Sequence, residues 1–575
     1  MKKNVFVKSN DQCHACMSLG MTRKGRMKSN LLYQLFTIGA FLTSLPLLFT
    51  ACINDDGTYD YNELPEISFE NIPELTEVIA YVDHIKLSPR FVSSTEGEIN
   101  PGDPNWTVQY RFGHKGMGSM GVDSVAMERI VWLDLTPTSG FDIDVPADFT
   151  TGMYTLWVTL TDNRNGSVTS KQYDVSVSSS TYEGWLVLCN EGTDEVARLD
   201  MISKLPGNKI EAIHDICKGL PVLHKGTCIN AYAQQQNPGD AAHLFTMDGS
   251  YELDPETFEG DPDRTFITMN FAFPVEDIII KEQNFSGTTY TWKNQYKICF
   301  GNTGNAYVHI ESGGGSAYAT AVNTLQEGTA TAFRVAPYCG FSWVRPWNSA
   351  YNNYILFYDI DNKRFLMFDG KLEKQQMSVI PDPSGDDVNL FSYTTGKDFV
   401  YMQSTRRSNG LVYTILQDPT SGKRSIYGIN LGGSGYAQEL YIPEVNAPGF
   451  EQATTFAFDN RFPLLFYSVG SKLYCYNLGT AQTKEVPTQF SANEEITVIK
   501  FNLYMLSVYS TLSNQSEEFM NAQYRLIVGT CNNDLKSGGK VTFFDVDGVN
   551  NTATQAEQYT GFAKIADIQY RERQN

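Results

Sequence analysis

The residues best suited to bind a ligand directly lie in one short stretch, residues 339–348. It holds Trp343 and Trp347, two of the seven tryptophans, with Arg345 between them and Pro346 stiffening the backbone. Flat aromatic faces can stack on sugar rings or peptide side chains, and a guanidinium can form paired hydrogen bonds to a carboxylate. The tryptophans could instead fill the core of the fold, as large aromatic residues usually do. We therefore predict a ligand-binding surface here, with a structural role as the alternative.

Motifs of known catalytic centres are missing or incomplete in the sequence. The seven histidines are scattered, and no two have the spacing of a zinc-binding helix. Residues 432–436 lack the final glycine of a nucleophile elbow, and residues 313–316 lack the lysine of a phosphate-binding loop. Residues 545–550 resemble the first half of a calcium loop but lack its closing glutamate, so a hairpin turn is favoured there. No catalytic residue, metal site or cofactor is predicted.

Composition limits the classes of partner and of fold. The chain has 575 residues and a formal net charge of −21, with no basic patch beyond its N-terminal region. Nucleic acids and anionic lipid surfaces are therefore poor partners, because both require clustered lysine and arginine. Hydrophobic residues make up 42% of the chain, and 32 tyrosines, 34 phenylalanines and 46 glycines favour β-strands joined by tight turns.

Cys52 follows a segment with the pattern of a secretory signal. Residues 23–28 are mostly basic, residues 31–49 are largely apolar, and Thr50 and Ala51 are small. This arrangement resembles the lipobox of bacterial lipoproteins, which implies that the Cys52 thiol is acylated and that Cys52 becomes the new N-terminus. A transmembrane helix is the alternative, since the apolar run is about as long as a bilayer-spanning helix. Pro46 and the acidic residues after Cys52 argue against that alternative.

The flanking residues indicate where such an anchored protein is placed. Residues 1–51 are predicted to be a leader and signal peptide, with Met27 suspected as the true start, and residues 52–65 a lipidated acidic tether. Residues 53–57, Ile-Asn-Asp-Asp-Gly, resemble the export signal of Bacteroidota lipoproteins. That resemblance implies a lipid anchor in the outer membrane, facing the cell exterior. A periplasm-facing anchor and a plain solvated tether are the alternatives.

The cysteines beyond the anchor do not indicate a disulfide framework. Seven follow Cys52, and most lie inside apolar runs, as buried free cysteines do. Cys217 and Cys228 flank a loop and could pair. The fold is therefore expected to depend on its cores rather than on cross-links.

Residues 66–180 are predicted to form an antiparallel β-sandwich. Short apolar runs, separated by glycine, proline and Asn/Asp clusters, recur at the spacing of such folds. The clearest hairpin joins residues 154–162 to 172–176 through a turn at residues 163–166. This hairpin resembles the C-terminal hairpin of PKD-type immunoglobulin-like domains, which implies a spacer or docking role. The other predicted strands are 67–69, 77–82, 85–87, 107–112 and 130–133.

Residues 181–575 are predicted to form a β-propeller of about seven blades, with six or eight as alternatives. Hairpins recur at intervals of tens of residues, and a single hairpin cannot bury both of its faces, so the blades must stack into a ring. The apolar run 563–570 has no hairpin partner and is predicted to complete the first blade beside Trp185. The predicted hairpins pair 185–188 with 196–200, 243–247 with 251–253, 296–300 with 306–310, 354–358 with 364–368, 411–416 with 425–429, 464–468 with 473–476, and 524–529 with 541–545.

The order of these parts resembles the PKD-like family of Bacteroidota surface lipoproteins. The likeness rests on the lipobox, the tether at residues 57–63, the sandwich and the blade-like region. It implies a non-catalytic accessory protein beside a TonB-dependent transporter and its SusD-like lipoprotein, where it captures a peptide or an oligosaccharide. Two other classes remain open: a propeller lyase or hydrolase with acids drawn from several blades, and a structural bridge within a transporter complex.

Overall fold

The computed structural model describes most of the chain beyond the predicted tether, and nearly all of its ordered elements are strands. Cys52 lies outside the described residues. Within the described part, no helix is long and apolar enough to cross a membrane. The described residues are 65–80, 82–114, 132–205, 209–232, 241–285, 293–312, 317–327, 331–342, 354–369, 375–385, 389–432, 435–503 and 517–571.

The described part of the predicted sandwich region contains ten strands. Its main sheet has five strands in the order β2-β10-β9-β6-β7, and β3 pairs separately with β8. One part of the prediction was wrong: β2 runs parallel to β10, from Leu75 beside Asp174 to Ile79 beside Ser178, so the sandwich is not purely antiparallel. The strands are β1 (Ile67–Glu70), β2 (Leu75–Ile79), β3 (His84–Leu87), β4 (Arg90–Ser93), β5 (Gly97–Glu98), β6 (Trp106–His114), β7 (Trp132–Leu135), β8 (Ile143–Pro146), β9 (Gly152–Asp162) and β10 (Ser167–Ser178).

The hairpin of β9 and β10 forms as the sequence predicts. Asp162 pairs with Ser167 across the four-residue turn, and alternate residues of β9 are buried because one face of the sheet covers the core. Tyr154, near the start of β9, donates its hydroxyl to the carbonyl of Thr150 at 2.8 Å. A tyrosine that bonds back to the backbone just upstream is the corner feature of immunoglobulin-like sandwiches.

Seven further sheets follow, one for each predicted hairpin, and they are the blades of a β-propeller. Each predicted hairpin is confirmed as an antiparallel pair within its own blade. Blades 1 to 3 contain, in chain order, β11 (Gly184–Glu191), β12 (Val196–Leu205) and β13 (Lys209–Ile213); β14 (Gly226–Tyr232), β15 (Ala241–Thr246), β16 (Ser250–Leu253) and β17 (Gly260–Thr265); and β18 (Ile279–Phe285), β19 (Lys293–Gly301) and β20 (Ala306–Ser312). Blades 4 and 5 contain β21 (Ile355–Asp359), β22 (Arg364–Phe368) and β23 (Ser378–Val379); and β24 (Asp398–Ser404), β25 (Leu411–Gln417), β26 (Arg424–Asn430) and β27 (Ala437–Ile442). Blades 6 and 7 contain β28 (Phe456–Phe458), β29 (Leu464–Val469), β30 (Lys472–Asn477) and β31 (Thr483–Glu485); and β32 (Glu494–Lys500), β33 (Leu526–Asn532), β34 (Gly539–Asp547) and β35 (Thr552–Phe562).

The last strand, β36 (Lys564–Arg571), closes the ring as predicted. It pairs antiparallel with β11 of blade 1, from Gly184 beside Arg571 to Asn190 beside Lys564. The described helices are short: α1 (Phe266–Asn270), α2 (Glu517–Asn521) and two 3-10 turns, Arg407–Asn409 and Ala522–Tyr524.

The propeller core lies between neighbouring blades. Every residue of β21 is buried, because a central strand is covered on both faces by the blades beside it. This differs from the alternating burial of β9 and explains why the blade strands are continuous apolar runs in the sequence. Phe357 and Leu366 of blade 4, for example, pack with Ile298 and Phe300 of blade 3.

Two smaller predictions can be compared with the structure. Cys217 and Cys228 do not pair, and the seven described cysteines are all free, six of them buried. The motif at residues 545–550 forms the turn between β34 and β35, as predicted. There, Asp547 accepts hydrogen bonds from the backbone amides of Val549 and Asn550 at 2.9 and 3.0 Å.

Candidate functional site

A cavity of about 470 Å³ lies among the innermost strands of the propeller. Each of the seven blades contributes to its wall: β36, β14, β18, β24 and β32, together with residues 337–341 of blade 4 and Asn460 of blade 6. Residues 337–341 take the inner position of blade 4 because Gly340 forms a bridge with Leu356 of β21. The cavity is therefore the central channel of the ring.

Strand alternation decides between which blades the side chains of an inner strand pack. Along β24, Met402 packs in the core between blades 4 and 5, Tyr401 packs against the core between blades 5 and 6, and both border the channel together with Gln403. Gln403 is fixed by two hydrogen bonds of 2.8 Å to the backbone of Phe458 in blade 6. Polar and aromatic groups are thus held in place at the channel wall.

An ion pair in the channel joins the strand that closes the ring to its neighbours. The Lys500 ammonium of β32 lies 2.8 Å from the Asp567 carboxylate of β36. Asp567 also accepts a hydrogen bond of 3.2 Å from the backbone amide of Ile229 in β14. One carboxylate therefore links blades 7, 1 and 2, and the charge of Lys500 is compensated.

Lys281 of β18 has a different environment. Its ammonium lies 3.7 Å from the centre of the Tyr338 ring, a cation–π contact, and that ring packs edge-on against Tyr401 at 5.5 Å. Within the described residues, no carboxylate forms an ion pair with Lys281. The channel therefore contains one cation that faces an aromatic ring instead of an acid.

The neighbouring residue, Glu282, is a structural carboxylate. Its side chain is fully buried and accepts hydrogen bonds from His243 and Asn230 of blade 2, each at 2.8 Å, and from Tyr318 at 2.9 Å. Burial raises the pKa of Glu282, but the charge and hydrogen bond of His243 and the charge of Lys297 outweigh it and lower the pKa below its ordinary value. The ionised carboxylate thus holds blades 2 and 3 together.

Three arginines lie near the channel residue Asn460, by contact or in sequence, and form the arginine edge, although none of them lines the cavity itself. Arg406 donates its backbone amide to the side-chain oxygen of Asn460, a channel residue, at 3.2 Å. Arg407 donates to the Tyr413 hydroxyl, and Arg461 lies 4.7 Å from the centre of the Tyr524 ring. In the part of the chain that the structure describes, no carboxylate forms an ion pair with Arg407 or Arg461.

A second cavity, of about 410 Å³, is lined by residues of blade 3 and the segment before it, including Phe273 and Asp277. The Asp277 carboxylate accepts hydrogen bonds from Thr303, Asn305 and Tyr307, so it fixes a turn and is not available to a ligand. No group of His, Cys, Asp and Glu suited to a metal ion occurs among the described residues.

The residues predicted from sequence as a ligand surface, Trp343, Arg345 and Trp347, lie outside the described residues. Ser342, which precedes them, is described: its hydroxyl donates to the carbonyl of Asn409 at 2.7 Å, beside the arginine edge. Sequence reasoning missed the channel residues themselves, because they come from five strands and two further segments that are far apart in the chain. The available signal was the strand before each hairpin, such as residues 398–404 before the hairpin of blade 5.

Comparison with protein families identifies the N-terminal part. A family model described as the PKD-like family matches residues 52–220, which include the sandwich and extend past β13. The N-terminal domain is PKD-like. The match covers less than half of the chain and begins at Cys52. No curated protein matches the sequence.

Solved structures similar to this chain have low sequence identity. One is a quinonprotein alcohol dehydrogenase-like protein from Bacteroides thetaiotaomicron VPI-5482, with 11% identity, a TM-score of 0.37, and coverage of 88% of this chain and 99% of that one. Another is a protein from Lactobacillus plantarum, with 9% identity, a TM-score of 0.40, and coverage of 68% and 99%. At these values the likenesses transfer neither activity nor substrate to this chain.

Proposed function

We propose that this protein is a lipid-anchored surface lipoprotein that binds an oligosaccharide or a peptide in the propeller channel without transforming it. The observation that carries the proposal is the channel wall, where amide and aromatic side chains from separate blades converge on one cavity. Its volume, about 470 Å³, falls in the range of small-molecule and oligomer sites. Amides both donate and accept hydrogen bonds, so they match hydroxyl groups and peptide bonds alike.

The state of the channel carboxylates supports binding rather than catalysis. A glycosidase needs two carboxyl groups that face the scissile bond, one of them free to give a proton. Here Asp567 is paired with Lys500, and Glu282 is buried against His243. Both acids of the channel wall are therefore occupied in holding blades together.

The proposed location rests on the N-terminal sequence. We propose that Cys52 carries the lipid, that residues 1–51 are removed, and that the acidic tether places the protein on the outer face of the outer membrane. The family match that begins at Cys52 supports this processing site. The PKD-like sandwich would then act as a spacer between the membrane and the propeller.

The proposed partners follow from the same resemblance. We propose that the protein works beside a TonB-dependent transporter and a SusD-like lipoprotein and passes its ligand to the importer. Trp343, Arg345 and Trp347 are proposed as additional ligand contacts.

Binding of the processed, lipid-free protein to neutral and acidic glycans and to peptides would test the function. We expect binding by calorimetry that is lost in Tyr338→Ala and weakened in the double variant Trp343→Ala, Trp347→Ala. The control is Trp157→Ala on β9 of the sandwich, which should bind normally. Turnover of any glycan or peptide would support an enzyme instead, and absence of binding together with co-purification of a transporter would support a structural bridge.

The anchor is tested in cells with the change Cys52→Ala. The unchanged protein should be in the membrane fraction and be cleaved by protease added to intact cells, and the variant should leave that fraction. Retention of the variant in the membrane would contradict the lipid anchor. Protection of the unchanged protein would contradict its surface display.

A further inference from the structure

The channel has an uncompensated positive charge, although the chain as a whole has a net charge of −21. Among the described residues, four charged side chains occur in its wall: Lys281, Glu282, Lys500 and Asp567. Lys500 and Asp567 neutralise each other, and Glu282 is buried and hydrogen-bonded to His243, Asn230 and Tyr318. The remaining charge is that of Lys281.

From this arrangement we infer that the ligand is a carboxylate-bearing oligosaccharide and that Lys281 binds one of its carboxylates. The inference rests on the proposed function and specifies the chemical class of the ligand. Arg407 and Arg461 would meet further carboxylates at the channel edge.

The environment of Lys281 leaves its hydrogen-bonding capacity unused. An ammonium has three N–H donors, and a contact with the face of Tyr338 compensates part of its charge but accepts no conventional hydrogen bond. A half-buried cation gains most from a carboxylate that supplies both the opposite charge and an acceptor. A ligand carboxylate placed in the cavity would complete this site.

The arginine edge adds two more cations that contact aromatic rings and lack an acidic partner among the described residues. The guanidinium groups of Arg407 and Arg461 are held by aromatic contacts with Tyr413 and Tyr524. Nearby acids are already engaged: Glu439 accepts from Ser408 and Asn430, and Asp459 accepts from two backbone amides. In a strongly acidic protein, such an edge is where an anionic ligand would be attracted rather than repelled.

The polar wall favours a sugar over a peptide. Asn230, Gln283, Asn460, Asn502 and Gln569 line the channel. Hydroxyl groups around a sugar ring can pair with such amides in many orientations, whereas apolar peptide side chains would have to be placed against them. The structure therefore points to an acidic sugar, with an acidic peptide as the alternative outcome of the test.

The experiment compares three probes: trimannuronate, its carboxyl-reduced counterpart mannotriose, and a hexaglutamate peptide. We expect trimannuronate to bind at least about tenfold more tightly than mannotriose, and its affinity to fall as salt is added. Lys281→Met should lower the affinity for trimannuronate about tenfold, as expected for a charge-assisted hydrogen bond, and should leave mannotriose unchanged. Lys281→Arg should retain most of the affinity.

The control variant is Lys472→Met, which removes the same charge from the exposed pair with Glu485 in blade 6 and should bind normally. An unchanged unfolding midpoint shows that Lys281→Met folds. Equal affinity for trimannuronate and mannotriose, or full affinity in Lys281→Met, would overturn the inference, as would binding of hexaglutamate alone. If only neutral glycans bind, the inference fails while the proposed function stands. If no glycan or peptide binds, the proposed function fails as well.

Discussion

Removal of the closing strand should destabilise the propeller severely. β36 buries three large apolar side chains, Ile565, Ile568 and Tyr570, each no more than 3% exposed. At about 1.5–3 kcal/mol for each buried side chain, their loss amounts to roughly 5–9 kcal/mol. This is comparable to the whole stability of a typical domain, about 5–15 kcal/mol. Deletion of residues 563–575 should therefore give a protein that is largely unfolded or aggregated, because β11 is also left with an unpaired edge.

A graded version of the same test uses Ile568→Ala. This change should cost about 3 kcal/mol, typical of a fully buried isoleucine. Val549→Ala, at a side chain that is 88% exposed, should change the free energy of unfolding by less than about 0.5 kcal/mol. Denaturant titrations of both variants and of the unchanged protein measure these differences.

Thiol labelling shows whether the truncated protein loses its structure at the contact between blade 1 and the missing strand β36. Cys189 on β11 lies beside Ile565 of β36 and is fully buried. Because burial also raises the pKa of its thiol, Cys189 should be unreactive in the closed ring. Truncation should expose Cys189 to a thiol reagent, with the labelled site identified by mass spectrometry. A truncated protein that stays monomeric, keeps its midpoint and protects Cys189 would refute the closure argument.

Three more changes test single contacts. Burial and the charge of Lys297 lower the pKa of His309 to about 4. Between pH 4 and 6.5 its ring is therefore neutral in the folded protein and gains a proton on unfolding. The free energy of unfolding should fall by up to about 3 kcal/mol as the pH drops from about 6.5 towards 4. In denaturant titrations, His309→Gln should flatten this slope, whereas an unchanged slope would assign it to another group. Tyr154→Phe should lower the free energy of unfolding by about 1 kcal/mol through loss of its bond to Thr150, and an unchanged free energy would show that the bond contributes nothing. Gly539→Ala would place a Cβ 1.9 Å from the carbonyl of Ala563, so thermal unfolding should occur at a clearly lower temperature unless that backbone can move away.

The hairpins of the blades could be predicted from sequence because each is a local feature. Strands such as residues 355–359 are continuous apolar runs, and short turns join them to their partners. The parallel pairing of β2 with β10 could not be predicted in this way. The two strands are far apart in the chain, and an apolar alternation fixes which face is buried but not which neighbour a strand chooses.

The candidate site was harder to predict for the same physical reason. Lys281, Tyr338 and Tyr401 are 120 residues apart at the extremes, and only the stacking of blades 3, 4 and 5 brings them together. Nothing in the local sequence distinguishes Lys281 from a solvent-exposed lysine. The tryptophan stretch was predicted as a site because its residues are close together in sequence, whereas the propeller channel is assembled from short segments of all seven blades.

Asp567 lies on the strand that closes the ring and also neutralises Lys500 in the channel, and these two roles give a final prediction. Asp567→Asn keeps the shape of the side chain and an oxygen that can still accept from Ile229, but it leaves Lys500 without its carboxylate. The fold should lose about 1–3 kcal/mol in denaturant titrations, as expected when a part-buried charge is left unpaired. The affinity for trimannuronate should nevertheless rise several-fold, because the channel then contains two uncompensated cations.

These opposite effects separate an electrostatic site from a merely damaged one. A general loss of packing would weaken both stability and binding, whereas an anion site should bind its ligand more tightly as the protein becomes less stable. Lys281→Met combined with Asp567→Asn should return the affinity towards that of the unchanged protein, since one cation is removed and another exposed. If Asp567→Asn weakens trimannuronate binding while the ring stays closed, as shown by protection of Cys189, the carboxylate of Asp567 does not act by neutralising Lys500 and the charge argument for the channel is wrong.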